Sequence, residues 1–193
     1  MSLLTTEALV LHAFDYLETS RIFRLATRDA GIQSVLARSA RTSKRRFGSA
    51  LDLFASGVAQ IQVRPGRELQ QLAVFDLASA RHPLSGDLER FGAASALAEL
   101  ALRFASGDEP AGFYDVLTSA LDRLSASAPE EARDAGLAGA WRLVAVLGFA
   151  PSLERCATCH AELASDEAVR FAHAAGGAMS ARCARGGAGG RTL

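Results

Sequence analysis

No stretch of this chain is both long and apolar enough to cross a bilayer, since every hydrophobic run falls short of the roughly 18 residues a membrane helix needs. The opening, MSLLTTEALVLH, has neither a basic n-region nor a small-residue cleavage site, so no signal peptide is read there. Cysteine is scarce and odd in number. Three thiols do not make a disulfide framework, and they suit a reducing cytoplasm. Catalytic signatures are missing as well: there is no G-x-S-x-G, no G-x-x-x-x-G-K-[ST] and no H-E-x-x-H. His12, His82, His160 and His173 never fall at an i, i+4 spacing, and Asp108-Glu109 reads more simply as a helix start than as a catalytic pair. An enzyme reading has nothing to stand on.

Net charge is absent too, with 21 basic and 21 acidic side chains, but the balance is uneven along the chain. Residues 1–80 carry ten Lys/Arg against seven Asp/Glu, residues 81–150 six against ten, and residues 151–193 five against four. Opposite signs in adjacent segments imply separate tasks, and the basic segment is the one suited to a polyanion.

What is present begins with hydrophobic material: 49% of 193 residues is ample for a core in one or two domains. Residues 7–13, 21–25, 32–37, 58–63 and 69–77 read as five short strands, rich in β-formers and divided by turns such as Arg28-Asp29-Ala30-Gly31 and Arg64-Pro65-Gly66-Arg67. Five strands with no helix between them predict a small barrel of the OB type over residues 1–80. After Pro83 the period changes. Residues 88–104 predict a helix apolar on most faces, hence central. Phe113, Val116, Leu117, Ala120, Leu121 and Leu124 form one stripe of a second helix, and residues 130–149, with Trp141, form a third. The fold class is therefore α+β: an N-terminal five-stranded OB-type barrel, a helical domain over residues 81–152, and a cysteine-containing segment with a flexible Gly-rich end over residues 153–193.

Two constellations carry candidate chemistry. Arg38, Arg41, Lys44, Arg45 and Arg46 place five cations within nine residues, and no acidic residue between Ala30 and Leu51 neutralises them. The plain reading is a solvated loop. Yet the run leaves a strand of a barrel, where functional loops tend to be mounted, and guanidinium forks bridge phosphate oxygens. Phosphate contacts position a nucleic acid without reading its sequence. Arg21, Arg24, Arg64 and Arg67 extend the candidate DNA surface, while Phe23, Phe47 and Phe54 suit either base stacking or the core. The rival is a protein-binding adaptor whose basic loop serves only solubility.

Cys156-Ala157-Thr158-Cys159-His160 is, as written, the attachment motif of c-type haem, which needs export, and also a redox C-x-x-C, which needs a βαβ context not seen here. The third reading is zinc. A C-x-x-C knuckle followed by Cys183 resembles a zinc ribbon whose second half has Ser180 in place of a thiolate. His173 offers a substitute fourth ligand, and His160 lies awkwardly close to Cys159. Bound zinc and a metal-free knuckle both stay open.

The order of parts carries a resemblance. Glu7 to Leu11 opens the chain and Arg21-Ile22 follows. The basic stretch then runs into Arg46-Phe47-Gly48-Ser49-Ala50-Leu51, Asp87-Leu88-Glu89-Arg90 comes next, and Leu147-Gly148-Phe149-Ala150-Pro151 leads into the cysteine pair. Across nearly the whole chain this resembles the RecO family of bacterial DNA repair and recombination mediators. The resemblance implies an OB domain, a helical domain and a zinc-ribbon-like insertion. It also implies binding of single- and double-stranded DNA, annealing of complementary strands, and, with RecR, loading of RecA onto DNA coated by single-strand-binding protein, whose C-terminal tail is a partner. It places the protein in the cytoplasm at the nucleoid, with no membrane. Its DNA contacts map onto Arg38, Arg41, Lys44, Arg45 and Arg46. Its one zinc ion maps onto Cys156, Cys159 and Cys183, with Ser180 as a departure. Family members usually continue past the cysteines into further helices. A chain ending at Arg191-Thr192-Leu193 is expected to expose apolar surface on the 88–104 helix or on the helix carrying Trp141.

Overall fold

The computed structural model describes residues 2–40, 47, 51–104, 110–164, 166, 168–186 and 191–192, which divide into two compact units, 1–147 and 148–193. Strands β1 (Ser2–Tyr16), β2 (Ser20–Thr27), β3 (Gly31–Ala37), β4 (Ser56–Val63) and β5 (Leu69–Ser79) close a barrel in the order β1-β2-β3-β5-β4. All pairings are antiparallel except β3 with β5, which is the five-stranded OB arrangement expected from the sequence.

The first strand is 15 residues long where the apolar run marked only seven. Its first half pairs with β4, from Ser2 opposite Val63 to Leu9 opposite Ser56. Its second half pairs with β2, from Ala8 opposite Thr27 to Tyr16 opposite Ser20, with a register shift between Val10 and His12. A strand shared by two neighbours has to bend, and an irregularity of this kind is how strands do so. Alternation then divides β1 between two cores. Ala8 and Val10 point into the barrel with Phe23, Leu25, Val35, Phe47, Ile61, Leu72 and Phe75. Leu9 and Leu11 point outward and pack with Ala26 and Phe54 against the helices. Both faces of β1 are covered at this point, which is why its sequence reads as a continuous apolar run instead of an alternating one. Between β4 and β5 only glycine fits at residue 57, since a Cβ there would lie 2.1 Å from the Asp76 carbonyl oxygen.

Helix α1 (His82–Ser85) leads into α2 (Leu88–Phe104), α3 (Phe113–Ala126), a 3₁₀ turn (Pro129–Glu131) and α4 (Ala132–Val144). Helix α3 buries Phe113, Leu117, Ala120, Leu121 and Leu124, as its periodicity predicts. Helix α2 is less central than its composition suggests. Only Ala94, Leu97, Ala98 and Ala101 are buried, a single i, i+3, i+4, i+7 stripe, while Leu88 is 85% exposed. Helix α4 packs closely on its neighbours through small residues, Gly136 against Ala93 and Gly139 against Ala120 and Leu97. It stops short of residue 149 because Gly148 adopts φ 88°, outside the helical region.

Arg81 fastens the helices to the barrel. Its side chain is 3% exposed and donates to Asp122 Oδ1 of α3 at 2.7 Å, to the Phe54 carbonyl at 2.7 Å and to Ser56 Oγ at 3.0 Å. A second, surface tie runs through Arg28, which pairs with Glu7 of β1 and forks onto both oxygens of Asp115 while lying over the Tyr114 ring. This pairing holds the Asp115 carboxyl below the usual carboxylate range.

In the second unit, β6 (Arg170–Ala172) pairs with β7 (Gly177–Met179) and β8 (Arg191–Thr192), and α5 (Ala181–Gly186) follows β7. Residue 177 has to be glycine because the Ser152 carbonyl oxygen lies 2.3 Å from where a Cβ would stand. Among the described residues no helix is long and apolar enough to cross a membrane.

Candidate nucleic-acid interface and metal centre

Since Val35 and Ala37 point into the barrel, Leu36 and Arg38 face outward from β3. Arg38 lines a cleft of about 390 Å³ with Leu36, Arg64, Arg67, Leu69 and Gln71, and Glu68 and Gln70 also border it. Arg64 and Arg67 belong to the β4–β5 turn, where Gly66 at φ 75° reverses the chain. Gln70, only 8% exposed, fixes that turn: its Oε1 accepts the Arg64 N–H at 2.8 Å, and its Nε2 donates to the carbonyls of Arg64 and Arg67. Two guanidinium groups thus project from a braced turn and a third from the facing strand. Arg38, Arg64 and Arg67 are exposed, and among the described residues none of the three forms an ion pair. The cleft thus brings three arginines together with Leu36 and Leu69, alongside Glu68 and two glutamines.

The other candidate cations are placed differently. Arg21 is bound to Asp15 at 3.1 Å and lies over the Phe23 ring. Arg24 sits three residues on, hence on the opposite face of β2, half-buried, with a covered Nε that has no hydrogen-bond partner. Arg41, Lys44, Arg45 and Arg46 lie outside the described residues. Phe23, Phe47 and Phe54 are all core residues, at most 2% exposed, and stack no base.

Sequence reasoning missed a row of exposed rings on the outer face of β1. His12, Phe14 and Tyr16 alternate outward, with Phe14 and Tyr16 48% and 42% exposed and the His12 and Phe14 rings 4.2 Å apart. Pairing carries this row across the sheet, His12 to Arg24 to Ser34, and Phe14 to Ile22 to Leu36. Leu36 then borders the arginine cleft, so rings and cations occupy one continuous barrel face. The available signal was the period-two alternation of polar and aromatic residues just beyond the apolar run.

A third feature belongs to the helices. Between α2 and α4, Leu88, Ala93, Ala96, Leu97, Leu137 and Ala140 line an open apolar groove of about 430 Å³, with Glu89 and Arg133 at its rim. Nearby on α4, Trp141 is 60% exposed.

In the second unit, the Sγ atoms of Cys156, Cys159 and Cys183 all lie within 4.8 Å of one another. Cys156 is buried, its sulfur accepts the Ser180 backbone N–H at 3.4 Å, and the nearby backbone amides of Cys159, Ser180 and Thr158 bring its thiol down to about 6. Cys183 moves the other way: the Ser180 hydroxyl favours its thiolate, but the neighbouring thiols and burial outweigh that help. Neither His160 nor His173 belongs to the cluster; the His173 ring packs on Phe171 with centroids 5.2 Å apart. Gly176, at φ 71°, closes the turn after His173, and its N–H donates to the His173 carbonyl at 3.1 Å. The arrangement is a donor set for one thiophilic metal ion, with sulfur spacing compatible with tetrahedral zinc.

Two family models account for nearly the whole chain: Recombination protein O N terminal over residues 1–81, and Recombination protein O C terminal over residues 85–193. Among curated proteins, the DNA repair protein RecO of Anaeromyxobacter sp. (strain K) is 37% identical over 179 residues, covering 92% of this chain and 69% of that protein. The protein of the same name from Syntrophotalea carbinolica is 35% identical over 184 residues, 94% of this chain and 70% of the relative. That of Rubrobacter xylanophilus is 31% identical over 184 residues, 95% and 72% respectively. With an OB-type barrel, a following helical layer and a three-thiol cluster in the same order, the chain belongs to the RecO family of DNA repair proteins.

Proposed function

We propose that the protein is a non-catalytic mediator of DNA repair and homologous recombination that binds single- and double-stranded DNA and anneals complementary strands. The observation that carries this reading is the group of exposed guanidinium groups, Arg38, Arg64 and Arg67, that form no ion pair among the described residues and stand beside the outward rings of β1. Annealing requires that the repulsion between two phosphate backbones be screened while the base edges stay free to pair. Cations on a barrel face do the first without hindering the second, because they grip the backbone in no fixed sequence register. The basic run Arg41, Lys44, Arg45 and Arg46 supplies further phosphate contacts in this reading, and Arg21 and Arg24 act as secondary contacts.

In this reading the protein works in the cytoplasm at the nucleoid. It acts with RecR to help load RecA onto strands covered by single-strand-binding protein. The acidic C-terminal tail of that protein takes the apolar groove between α2 and α4, with Arg133 for its carboxylates. The three thiolates of the second unit hold one zinc ion, the soft-ligand choice among common divalent metals. The ion's contribution is structural: it ties the knuckle at Cys156 to the residues around Cys183.

Mixing two complementary labelled oligonucleotides with the full chain tests the reading. Annealing accelerated well above the protein-free rate, and suppressed by added salt, is the expected result. Retention of neither strand at low ionic strength would leave a protein-binding adaptor as the better account.

A further inference from the structure

The geometry points to a metal centre of three thiolates and one oxygen, with the Ser180 hydroxyl as the oxygen and the fourth coordination place exchangeable as a consequence. The inference rests on the reading that Cys156, Cys159 and Cys183 hold zinc, and it concerns what completes that set.

A zinc ion with Zn–S bonds of about 2.3 Å has sulfur–sulfur edges of roughly 3.8 Å, so three sulfurs within 4.8 Å supply one face of its tetrahedron. Among the described residues no further Cys, His, Asp or Glu joins them. The polar residue adjoining the cluster is Ser180, itself 9% exposed. Its backbone N–H donates to Cys156 Sγ at 3.4 Å, and its hydroxyl oxygen accepts the Cys183 N–H at 3.4 Å.

The two halves of the site follow one local pattern. In the first, Cys156 precedes Cys159 by three positions. In the second, Ser180 Oγ accepts the N–H of the residue three positions on, Cys183, at 3.4 Å. Ser180 therefore stands to Cys183 as Cys156 stands to Cys159, oxygen replacing sulfur. The accepted N–H also caps α5, so the serine does two tasks with one oxygen. A neutral hydroxyl binds zinc far more weakly than a thiolate, and water or a small thiol can displace it. The ion is then held by three firm bonds and one that opens.

The test uses the full chain with cobalt(II) as a spectroscopic probe and zinc transfer to a competing chelator as the kinetic readout. The wild-type protein should give tetrahedral d–d bands with the sulfur-to-metal intensity of three thiolates. Ser180→Cys should raise that intensity by about one third and slow zinc transfer by at least the ~10–100-fold that supporting residues of metal sites are worth. Ser180→Gly, which caps a helix nearly as well but has no hydroxyl, should shift the d–d bands and speed transfer by about 10-fold. Identical bands and rates in wild type and Ser180→Gly would overturn the role of Ser180 while leaving the zinc reading standing. Cobalt binding in Ser180→Cys alone would likewise overturn it. Failure of every variant to bind cobalt or zinc would remove the zinc reading itself, and this inference with it.

Discussion

Replacing Arg38, Arg64 and Arg67 together by alanine isolates the electrostatic part of DNA binding from the fold. All three side chains are exposed, and the turn that carries two of them is held by Gln70 through backbone atoms, which alanine retains. Surface changes of this kind leave stability within about 0.5 kcal/mol, so the variant should melt with the wild type. Each cation that neutralises a phosphate of a single strand contributes about 0.7 to the slope of log affinity against log salt. Losing three should flatten the slope by about 2. Over a fourfold rise in salt each contact is worth ~2.6-fold, so the wild type should weaken roughly 18-fold more than the variant. Fluorescence anisotropy of a labelled oligonucleotide, titrated at four or five salt concentrations, measures both slopes. A folded variant whose slope matches the wild type would refute the assignment of this cleft. The matching substitution of Arg41, Lys44, Arg45 and Arg46 should flatten the slope by about 2.8.

Other expectations follow from particular contacts. Phe14→Ala should weaken single-stranded binding by about 1–3 kcal/mol with little effect on the salt slope, because stacking releases no counterions; equal losses for duplex and single strand would count against stacking. Arg81→Met strands the Phe54 carbonyl and Ser56 Oγ in the interior, while Asp122, about half exposed, rehydrates; a loss of about 2–4 kcal/mol in urea unfolding is expected, and one below 0.5 kcal/mol would contradict the fastening role. The lowered pKa of Asp115 means the folded state favours its carboxylate. Its stabilising effect is complete above the ordinary value of 3.8 and disappears as pH falls through the lower folded value. Asp115→Asn should therefore flatten the pH dependence of the urea midpoint below about pH 4, and an unaltered acid limb would show the pair to be idle.

The barrel was legible because its turns carry Gly and Asp where the chain reverses, and because β4 alternates cleanly. The length of β1 was not, since its ends pair with different strands and the polar residues there face solvent. Composition overstated the burial of α2: apolar residues around a helix were taken as a sign of centrality, whereas Leu88 and Ala96 border an open groove. Proximity of Arg64 and Arg67 to Arg38 was readable only in outline, because it depends on the parallel pairing of β3 with β5, which no local signal encodes. The closeness of Cys156 and Cys159 could be read from C-x-x-C spacing, and that of Cys183 only from the likeness to a zinc ribbon. The packing of the His173 ring on Phe171, outside the three-thiol group, could not.

Leu9 and Val10 are neighbours in sequence yet belong to different interiors, one shared with the helices and one enclosed by the strands. A wall common to two rooms cannot be removed from only one of them. Loss of β1 pairing should therefore melt strands and helices in a single transition, and an oligonucleotide bound at the arginine cleft should raise the melting temperature of α2–α4, which it never touches.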